Sequence, residues 1–500
     1  MPRLKILLLA ALFGSTALGA QAQTLRIGLE SDPDALDPAR SRTFVGRIVF
    51  AALCDKLIEV TPELELTPEL ATEWTVSDDG LTIDMTLREG VVFHDGTPFD
   101  AEAVKANIER SQTLEDSVRR SEITSIERVE VVDPTHVRLH LSAPDAPLLA
   151  QLADRAGMML SPASFGADVA ANPVCSGPFR FVSRVAQDRI ELEKFDDYWN
   201  ADAIKLEGVT YLPIPDSTVR LANLRSGDLD LINRLAATDV PTVEGASGLS
   251  FQRADGLGYQ GITFNTGNGP RAETPFGQDA RLREALSLAI DREAINQVVF
   301  AGLNAPASQF VPQVSPYFDP AFPVPPRDVD RAKALLAEAG HADGVDLELQ
   351  APNTPESQQV VQMIQAMAAE AGIRVNIVAK EFATMLADQA AGNFQASQVG
   401  WSGRIDPDGN IYGFVTTDGG FNDGKYSNPE VDALLAEARS TSDMERRKEL
   451  YHQVNVILAA DKPLFYLYNE AWLYGVSNDV QGFTPSPDGM IRLEGVSLTE

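Results

Sequence analysis

Residues 70–104 read LATEWTVSDDGLTIDMTLREGVVFHDGTPFDAEAV, and the pattern of this stretch is the strongest local indication of the fold. Two strand-like segments flank the turn residues Ser77-Asp78-Asp79-Gly80, and the alternating apolar residues of 81–87 share one face of a strand. A helix is predicted to start near Asp100. A second pair of alternating segments surrounds Asp133-Pro134-Thr135. Together these elements predict a small α+β lobe.

The chain on either side of this lobe has a different pattern. Upstream, residues 25–29 alternate like a strand, and residues 42–57 are predicted to form a helix after an Asp/Pro-rich loop. From Thr263 onward, long amphipathic helices alternate with short strands, which is typical of an α/β lobe with a mostly parallel sheet. Because 500 residues exceed what one core usually supports, we expect two or three lobes.

The N-terminus carries the pattern of an export signal. Arg3 and Lys5 precede the apolar run 6–13, and small residues end at Ala20-Gln21-Ala22. The run is too short to cross a bilayer, and no later stretch approaches the ~20 apolar residues of a membrane helix. We therefore predict a cleaved signal peptide over residues 1–22 and an exported protein.

The formal net charge of −31 narrows the class of partner. Such an acidic surface repels phosphate backbones and anionic membranes, so nucleic acid is excluded as a partner. The charge is typical of a surface that keeps an abundant protein in solution.

Cys54 and Cys175 are the only cysteines in the chain. Export would place them where disulfides persist, so we expect them to form a bridge. The alternative is that Cys54 is an unpaired, buried apolar residue within the run 50–54.

Motifs for catalysis, cofactors and metals are weak or missing. Gly256-Leu257-Gly258-Tyr259-Gln260-Gly261 matches a dinucleotide-binding pattern, but the residues that follow predict a strand where that motif needs a helix. The five histidines are scattered, and no Gly-x-Ser-x-Gly or phosphate-loop pattern occurs. We therefore expect no enzyme activity, no cofactor and no metal site.

The stretch 70–104 also resembles, almost residue for residue, the signature of the bacterial extracellular solute-binding proteins, family 5, which includes oligopeptide-, dipeptide-, glutathione- and nickel-binding members. Further similar segments follow in the same order along nearly the whole chain. They are Gly177-Pro178-Phe179, Tyr198-Trp199-Asn200, Gly227-Asp228-Leu229-Asp230, Phe264-Asn265-Thr266, Ala289-Ile290-Asp291-Arg292, residues 332–340 and residues 426–432.

The resemblance implies an α/β, periplasmic-binding-protein type II fold. Two α/β lobes would close around a ligand at a hinge, and a third α+β lobe would be inserted into the first. The implied limits are a signal peptide at 1–22, lobe I at 23–68, 177–262 and 476–500, lobe II at 69–176, and lobe III at 263–475.

The resemblance also implies where a ligand binds. The loop from Gly400 to Asp408 looks like the family's ligand-contact loop, in which peptide-binding members place an aspartate three residues after the tryptophan to pair with the ligand's amino group. Here that position is Arg404, which suits a carboxylate or phosphate. Either a nearby aspartate binds the amine, or the ligand presents an acid. Alternatively, Arg404 pairs with Asp406. The candidate ligand-binding residues are Trp401, Arg404, Asp406, Asp408, Arg42, Thr43 and Phe44.

The expected function is the substrate-binding subunit of an ABC importer in the periplasm. The protein would act as a monomer, capture a dipeptide, oligopeptide or peptide-like acid-bearing solute, and deliver it to permease subunits in the inner membrane. Alternative cargoes are an opine, glutathione or a nickel chelate. An exported peptide hydrolase is disfavoured because the chain lacks a recognisable catalytic motif, and a chaperone-like role stays open.

Overall fold

A computed structural model describes residues 23–166 and 168–499 of the chain. The predicted signal peptide lies outside the described residues. Among the residues that are described, no helix is both long and apolar enough to cross a membrane.

The strands are numbered in chain order. They are β1 (Thr24–Leu29), β2 (Ile58–Val60), β3 (Leu66–Pro68), β4 (Ala71–Val76), β5 (Thr82–Leu87), β6 (Ile126–Asp133), β7 (His136–Leu141), β8 (Phe179–Val185), β9 (Arg189–Lys194), β10 (Gly208–Pro213), β11 (Leu231–Ile232), β12 (Leu249–Asp255), β13 (Tyr259–Phe264), β14 (Ala305–Pro306), β15 (Val345–Pro352), β16 (Ile373–Lys380), β17 (Ala396–Trp401), β18 (Leu464–Asn469), β19 (Ala471–Ser477), β20 (Val480–Gln481) and β21 (Ser497–Leu498).

The α-helices are numbered in the same way. They are α1 (Phe44–Leu53), α2 (Ala101–Thr113), α3 (Leu148–Leu152), α4 (Ser217–Ser226), α5 (Val240–Glu244), α6 (Pro275–Gln278), α7 (Ala280–Ala289), α8 (Arg292–Phe300), α9 (Val329–Glu338), α10 (Pro355–Ala371), α11 (Phe382–Ala390), α12 (Asp408–Val415), α13 (Pro429–Arg439) and α14 (Met444–Asp461).

Lobe I is built on a seven-stranded sheet with the order β12-β19-β11-β1-β10-β9-β8. Its strand β1 runs parallel to β10 and β11, and α1 packs into the same core. Cys54, which follows α1, is joined to Cys175 by a disulfide with a Cα–Cα distance of 4.8 Å. Both cysteines are buried, so the bridge ties α1 to the segment that leads into β8.

Lobe II is the predicted α+β unit. Its four-stranded sheet has the order β4-β5-β7-β6, and the turn between β4 and β5 includes Gly80 with a φ of 68°. Asp100 caps α2 by accepting a hydrogen bond from Ala103 N at 3.0 Å, which confirms the predicted helix start. Its core draws on residues from 57 to 159, so the predicted limits of 69 and 176 are both too late in the chain.

Lobe III contains a six-stranded sheet with the order β14-β18-β13-β17-β15-β16. The expectation of a mostly parallel sheet is wrong. Strand β15 runs parallel to β16 and β17, but β13 runs antiparallel to both β17 and β18, and β14 is antiparallel to β18. The helix starts at Thr354 and Asn428 are confirmed, since each caps the helix that follows, with a proline at its first position.

Two short connections join lobe I to lobe III. The predicted limit at 262 falls inside β13, which pairs with β17 and β18 of lobe III, and the limit at 475 falls inside β19, which pairs with β11 and β12 of lobe I. The chain therefore crosses between the lobes at residues 256–258 and at Glu470. The crossings touch, because Gly256 N donates a hydrogen bond to the Glu470 carbonyl at 2.9 Å. This pair of connections has the geometry of a hinge.

Candidate ligand-binding site

A cleft lies between lobe I and lobe III, beside the two connections. It encloses about 1200 Å³ of empty space, part of which is open to solvent. Lobe I contributes Arg42 and Phe44, lobe II contributes Arg155, and lobe III contributes Trp401. A smaller cavity shares Arg42 and Trp401 with the cleft and reaches Phe421. All three lobes therefore supply side chains to one space.

The start of α1 positions the lobe I residues. Thr43 caps the helix, and Asp34 accepts hydrogen bonds from the Thr43 hydroxyl at 2.9 Å and from Arg42 N at 2.8 Å. These bonds hold Arg42 and Phe44, on either side of the cap, at the cleft wall. Thr43 itself is fully buried and does not line the cleft.

Trp401 ends β17 at the opposite wall. Its ring centroid lies 4.9 Å from that of Phe414 and 5.0 Å from that of Phe421, while its indole Nε1 has no hydrogen-bond partner among the described residues. Gly258 passes so close that a Cβ there would lie 1.8 Å from the Trp401 carbonyl oxygen, which only glycine avoids. The hinge backbone and Trp401 are thus packed together.

Arg404 is buried behind Trp401 and does not line the cleft. Its guanidinium carbon lies 4.1 Å from the Trp401 ring centroid, and its Nε lies 3.2 Å from Asp154 Oδ2. The alternative pairing with Asp406 is wrong, because Asp406 pairs with Arg447 instead. Burial lowers the pKa of Arg404 well below its ordinary value, although Asp154 opposes this shift. The Arg404 side chain therefore joins lobe III to lobe II.

The two aspartates of the predicted contact loop are already paired. Arg447 binds Asp406 through two nitrogens at 2.6 and 2.8 Å, and Arg439 binds Asp408 through two nitrogens at 2.9 and 2.8 Å. Asp408 is fully buried, and neither carboxylate lines the cleft. Each is saturated by a bidentate guanidinium, so neither is placed to accept a ligand's ammonium.

One end of the cleft is formed by arginines. Arg155 donates from Nη1 to the Ser41 carbonyl at 2.8 Å, and its Nε has no hydrogen-bond partner among the described residues. Burial and the nearby Arg119 lower the pKa of Arg155 to about 9. Arg42 pairs across the cleft with Asp423 of lobe III at 2.5 Å, and its Nε is also without a partner in the described part of the chain.

A single carboxylate, that of Asp154, contacts three of the arginines at this end. Asp154 accepts from Arg47 Nε at 2.5 Å and lies within 3.2 Å of Arg404 and 3.6 Å of Arg155. Burial by itself would raise the pKa of Asp154, yet Arg404, Arg47 and Arg155 together hold it well below its usual range. The buried positive charge at this end therefore exceeds the negative charge that it contacts directly.

A second part of the cleft is rich in carboxylates. Arg234 pairs with Glu30 at 2.8 Å and with Glu470 at 2.5 Å, and Glu356 in the first turn of α10 lines the same space. Burial raises the pKa of Glu30; Arg234 opposes this shift and Glu470 adds to it. The cleft thus has two parts that differ in charge.

The structure brings Arg42, Phe44 and Trp401 together, whereas Thr43 and the three charged residues of the predicted loop pack behind the cleft wall. Sequence reasoning missed the remaining charged lining residues, which are Glu30, Arg155, Arg220, Arg234, Glu356 and Glu470. The position of Glu30 directly after the parallel strand β1 could have indicated it, because ligands bind at the carboxyl ends of such strands. No local pattern distinguishes the arginines.

With this geometry in place, comparisons with known proteins identify the class. The sequence model of the bacterial extracellular solute-binding proteins, family 5, matches residues 65–422. The chain belongs to this family. The match covers all of the lobe II sheet and includes residues 400–408 of lobe III.

Relatives along the full length fall in the same class. The glutathione-binding protein GsiB of Salmonella paratyphi A is 30% identical over 499 residues, covering 96% of this chain and 95% of the relative. GsiB of Pectobacterium atrosepticum is 29% identical, covering 98% and 97%.

Solved structures are similar over nearly the whole fold. The dipeptide-binding protein from Pseudoalteromonas sp. SM9913, in complex with Met-Leu, has a TM-score of 0.88 at 26% identity and covers 95% of this chain and all of that one. The PBP AgaA from A. tumefacien R10, in complex with agropinic acid, has a TM-score of 0.87 at 28% identity, covering 95% and 99%. The type II periplasmic-binding-protein fold is confirmed.

Proposed function

We propose that this protein is the exported substrate-binding subunit of an ABC importer, and that it captures a small, acid-bearing, peptide-like solute in the periplasm. It delivers this cargo to permease subunits in the inner membrane as a monomer, with no chemical step. The relatives support the cargo class, since they are named for glutathione, a dipeptide and agropinic acid, and each of these molecules carries a carboxyl group.

The observation that carries the proposal is the cleft beside the hinge. Its two main walls belong to lobes I and III, which are joined by two short connections, and each of these walls supplies both aromatic and charged side chains, while lobe II adds Arg155. Such a space holds a small polar molecule by burying its apolar part and pairing its charged groups. Hydrolysis would need a nucleophile with a base beside it. Among the described residues, no lining serine or threonine hydroxyl donates a hydrogen bond to a histidine or a carboxylate, and those of Thr354 and Ser402 accept from N–H groups instead.

Contacts across the cleft support a binding cycle of opening and closing. Arg42 of lobe I pairs with Asp423 of lobe III, and Arg404 of lobe III pairs with Asp154 of lobe II. These pairs form only when the lobes are together, so a ligand that bridges the walls favours the closed state. The closed shape is what a permease can distinguish from the open one.

A thermal-shift screen of the mature protein tests the proposal. The panel contains Met-Leu, longer peptides, glutathione, agropinic acid and a nickel–histidine chelate, because a ligand raises the melting temperature by mass action. We expect a shift with at least one acid-bearing member. Recovery of the intact ligand by mass spectrometry after overnight incubation is expected, and cleaved products would point to a hydrolase. A complete lack of shifts would contradict the proposed cargo class.

A matched pair of tryptophan variants locates the site. Trp401→Ala removes a buried cleft-lining ring, whereas Trp74→Ala removes a partly buried ring on β4 of lobe II. We expect Trp401→Ala to weaken binding of the panel's best ligand by about 2 kcal/mol or more, the cost of losing a buried aromatic contact. The Trp74→Ala variant is expected to bind as wild type does. Equal affinities for both variants would place the ligand elsewhere.

Within this class, glutathione or an opine is a specific second candidate. Curated relatives that match nearly the whole chain include glutathione-binding proteins, and the structure with agropinic acid has 28% identity, slightly more than the dipeptide-binding protein. A larger thermal shift with either ligand than with Met-Leu would select this candidate.

A further inference from the structure

We propose that the end of the cleft between Arg42, Arg155 and Trp401 is an acid-binding subsite, so that the cargo lies with its carboxylate against these arginines. This inference rests on the proposed function and deepens it. It assigns both the chemical class recognised at this end and the direction in which the ligand lies.

Unpaired hydrogen-bond donors point to this ligand chemistry. Arg42 Nε, Arg155 Nε, Trp401 Nε1 and Arg404 Nη2 are buried and have no partner among the described residues. Arg155 is 2% exposed and Trp401 is 8% exposed, and both line the cleft. A buried donor without a partner is costly, and these four groups can donate but cannot accept hydrogen bonds. An acceptor-rich group, which a carboxylate provides, would satisfy those that it reaches.

The charge balance favours the same ligand. Three arginines, Arg47, Arg155 and Arg404, share the single carboxylate of Asp154. A ligand anion adjacent to Arg155 adds a second negative charge in a region of low dielectric constant, where its attraction to the arginines is stronger than in water. A ligand ammonium placed there would be repelled by the excess of positive charge.

The direction of the ligand follows from the carboxylate-rich part of the cleft. Three carboxylates, those of Glu30, Glu356 and Glu470, line this part together with two arginines, Arg220 and Arg234. Arg234 pairs with Glu30 and Glu470, whereas Arg220 donates hydrogen bonds to backbone carbonyls, so the carboxylates outnumber the arginines. A zwitterionic cargo therefore lies with its acid against Arg42 and Arg155 and its amine toward these three carboxylates. This is the reverse of the direction that an aspartate at position 404 would impose.

Isothermal titration with blocked ligands tests the subsite. The probes are Met-Leu and its C-terminal amide, together with glutathione and its two analogues amidated at either carboxylate. The proteins are wild type, Arg42→Gln, Arg155→Gln and the control Arg40→Gln. Arg40 lies two residues from Arg42 but is partly exposed and pairs with the exposed Asp116.

We expect the wild-type protein to bind a free acid about ten- to hundredfold more tightly than its amide, as for a charge-assisted contact. The Arg42→Gln and Arg155→Gln variants are expected to lose most of this preference, and Arg40→Gln to keep it. A purely structural role would weaken acid and amide binding equally. If Arg155→Gln fails to fold, Arg42→Gln alone carries the test, since Arg42 is at the cleft edge.

Two failures are distinguishable. Equal wild-type affinity for acids and amides, or an unchanged preference in the folded variants, would overturn the subsite while leaving the importer role intact. If none of these probes binds wild type and the thermal-shift panel also gives no shift, the proposed function fails, and the subsite fails with it.

Discussion

Replacing Asp154 with asparagine probes the buried charge network that joins all three lobes. Asp154 is 4% exposed and lies in lobe II, between Arg47 of lobe I and Arg404 of lobe III. The substitution keeps the side-chain volume and one acceptor oxygen but removes the carboxylate that these two arginines share. Their buried charges are then left without compensation.

The magnitude follows from the contacts that are lost. The remaining oxygen can still accept from Arg155 N, which now lies 2.6 Å from Oδ1, but the new amide group would face Arg47 and Arg404 as a donor. Two charge-assisted contacts disappear at about 1.5–3 kcal/mol each. The total agrees with the roughly 3–5 kcal/mol cost of breaking a buried ion pair. We therefore expect the free energy of unfolding to fall by about 3–5 kcal/mol.

Urea denaturation of the ligand-free mature protein at pH 7, followed by circular dichroism, measures this loss. The matched control is Asp116→Asn, which removes an exposed carboxylate from a surface pair with Arg40. The control is expected to change the stability by less than about 0.5 kcal/mol. A loss below about 1 kcal/mol for Asp154→Asn would contradict the expected role of Asp154, because it would mean that water or rearranged side chains compensate the buried arginines.

Two further predictions concern lobe I. The Cys54–Cys175 bridge closes a loop of 121 residues, which restricts the unfolded chain. Replacing both cysteines with alanine is therefore expected to lower the free energy of unfolding, measured by urea denaturation, by up to about 4.9 kcal/mol. If reducing the wild-type protein left the urea midpoint unchanged, the bridge would not have this stabilising effect. Burial raises the pKa of Asp55 to about 7, although hydrogen bonds from Trp199 and Tyr198 oppose the shift. The folded state therefore keeps this proton to higher pH than the unfolded chain, whose aspartates titrate near ~3.9, and the stability that the proton confers is lost between about pH 4 and pH 7. The asparagine of the Asp55→Asn variant cannot ionise, so the stability of this variant relative to wild type is expected to rise between pH 5 and pH 8. A difference that stays constant with pH would exclude Asp55 as the source of the pH dependence.

Much of the fold was predictable because local rules govern it. The turn at Gly80, the capped start of α2 at Asp100 and the proline-marked starts of α10 and α13 each depend on residues within a few positions of one another. The lobe limits were less predictable. Strands β13 and β19 lie close to the hinge, and their pairing partners establish the lobe to which each belongs.

The cleft, too, combines residues that the sequence identifies with residues that only the tertiary structure brings into place. Trp401 and the start of α1 were identifiable from the sequence, because they lie within segments that resemble the family. The role of Arg404 depends on the tertiary structure, since its partner Asp154 lies 250 residues earlier in another lobe. Arg155 carries no local signal, and it reaches the cleft because lobe II packs against the start of α1. Local sequence was therefore enough to specify the elements, the family and the departure at position 404. The meeting of three lobes decides which partner each arginine finds, because charges pair with whatever the fold brings within reach.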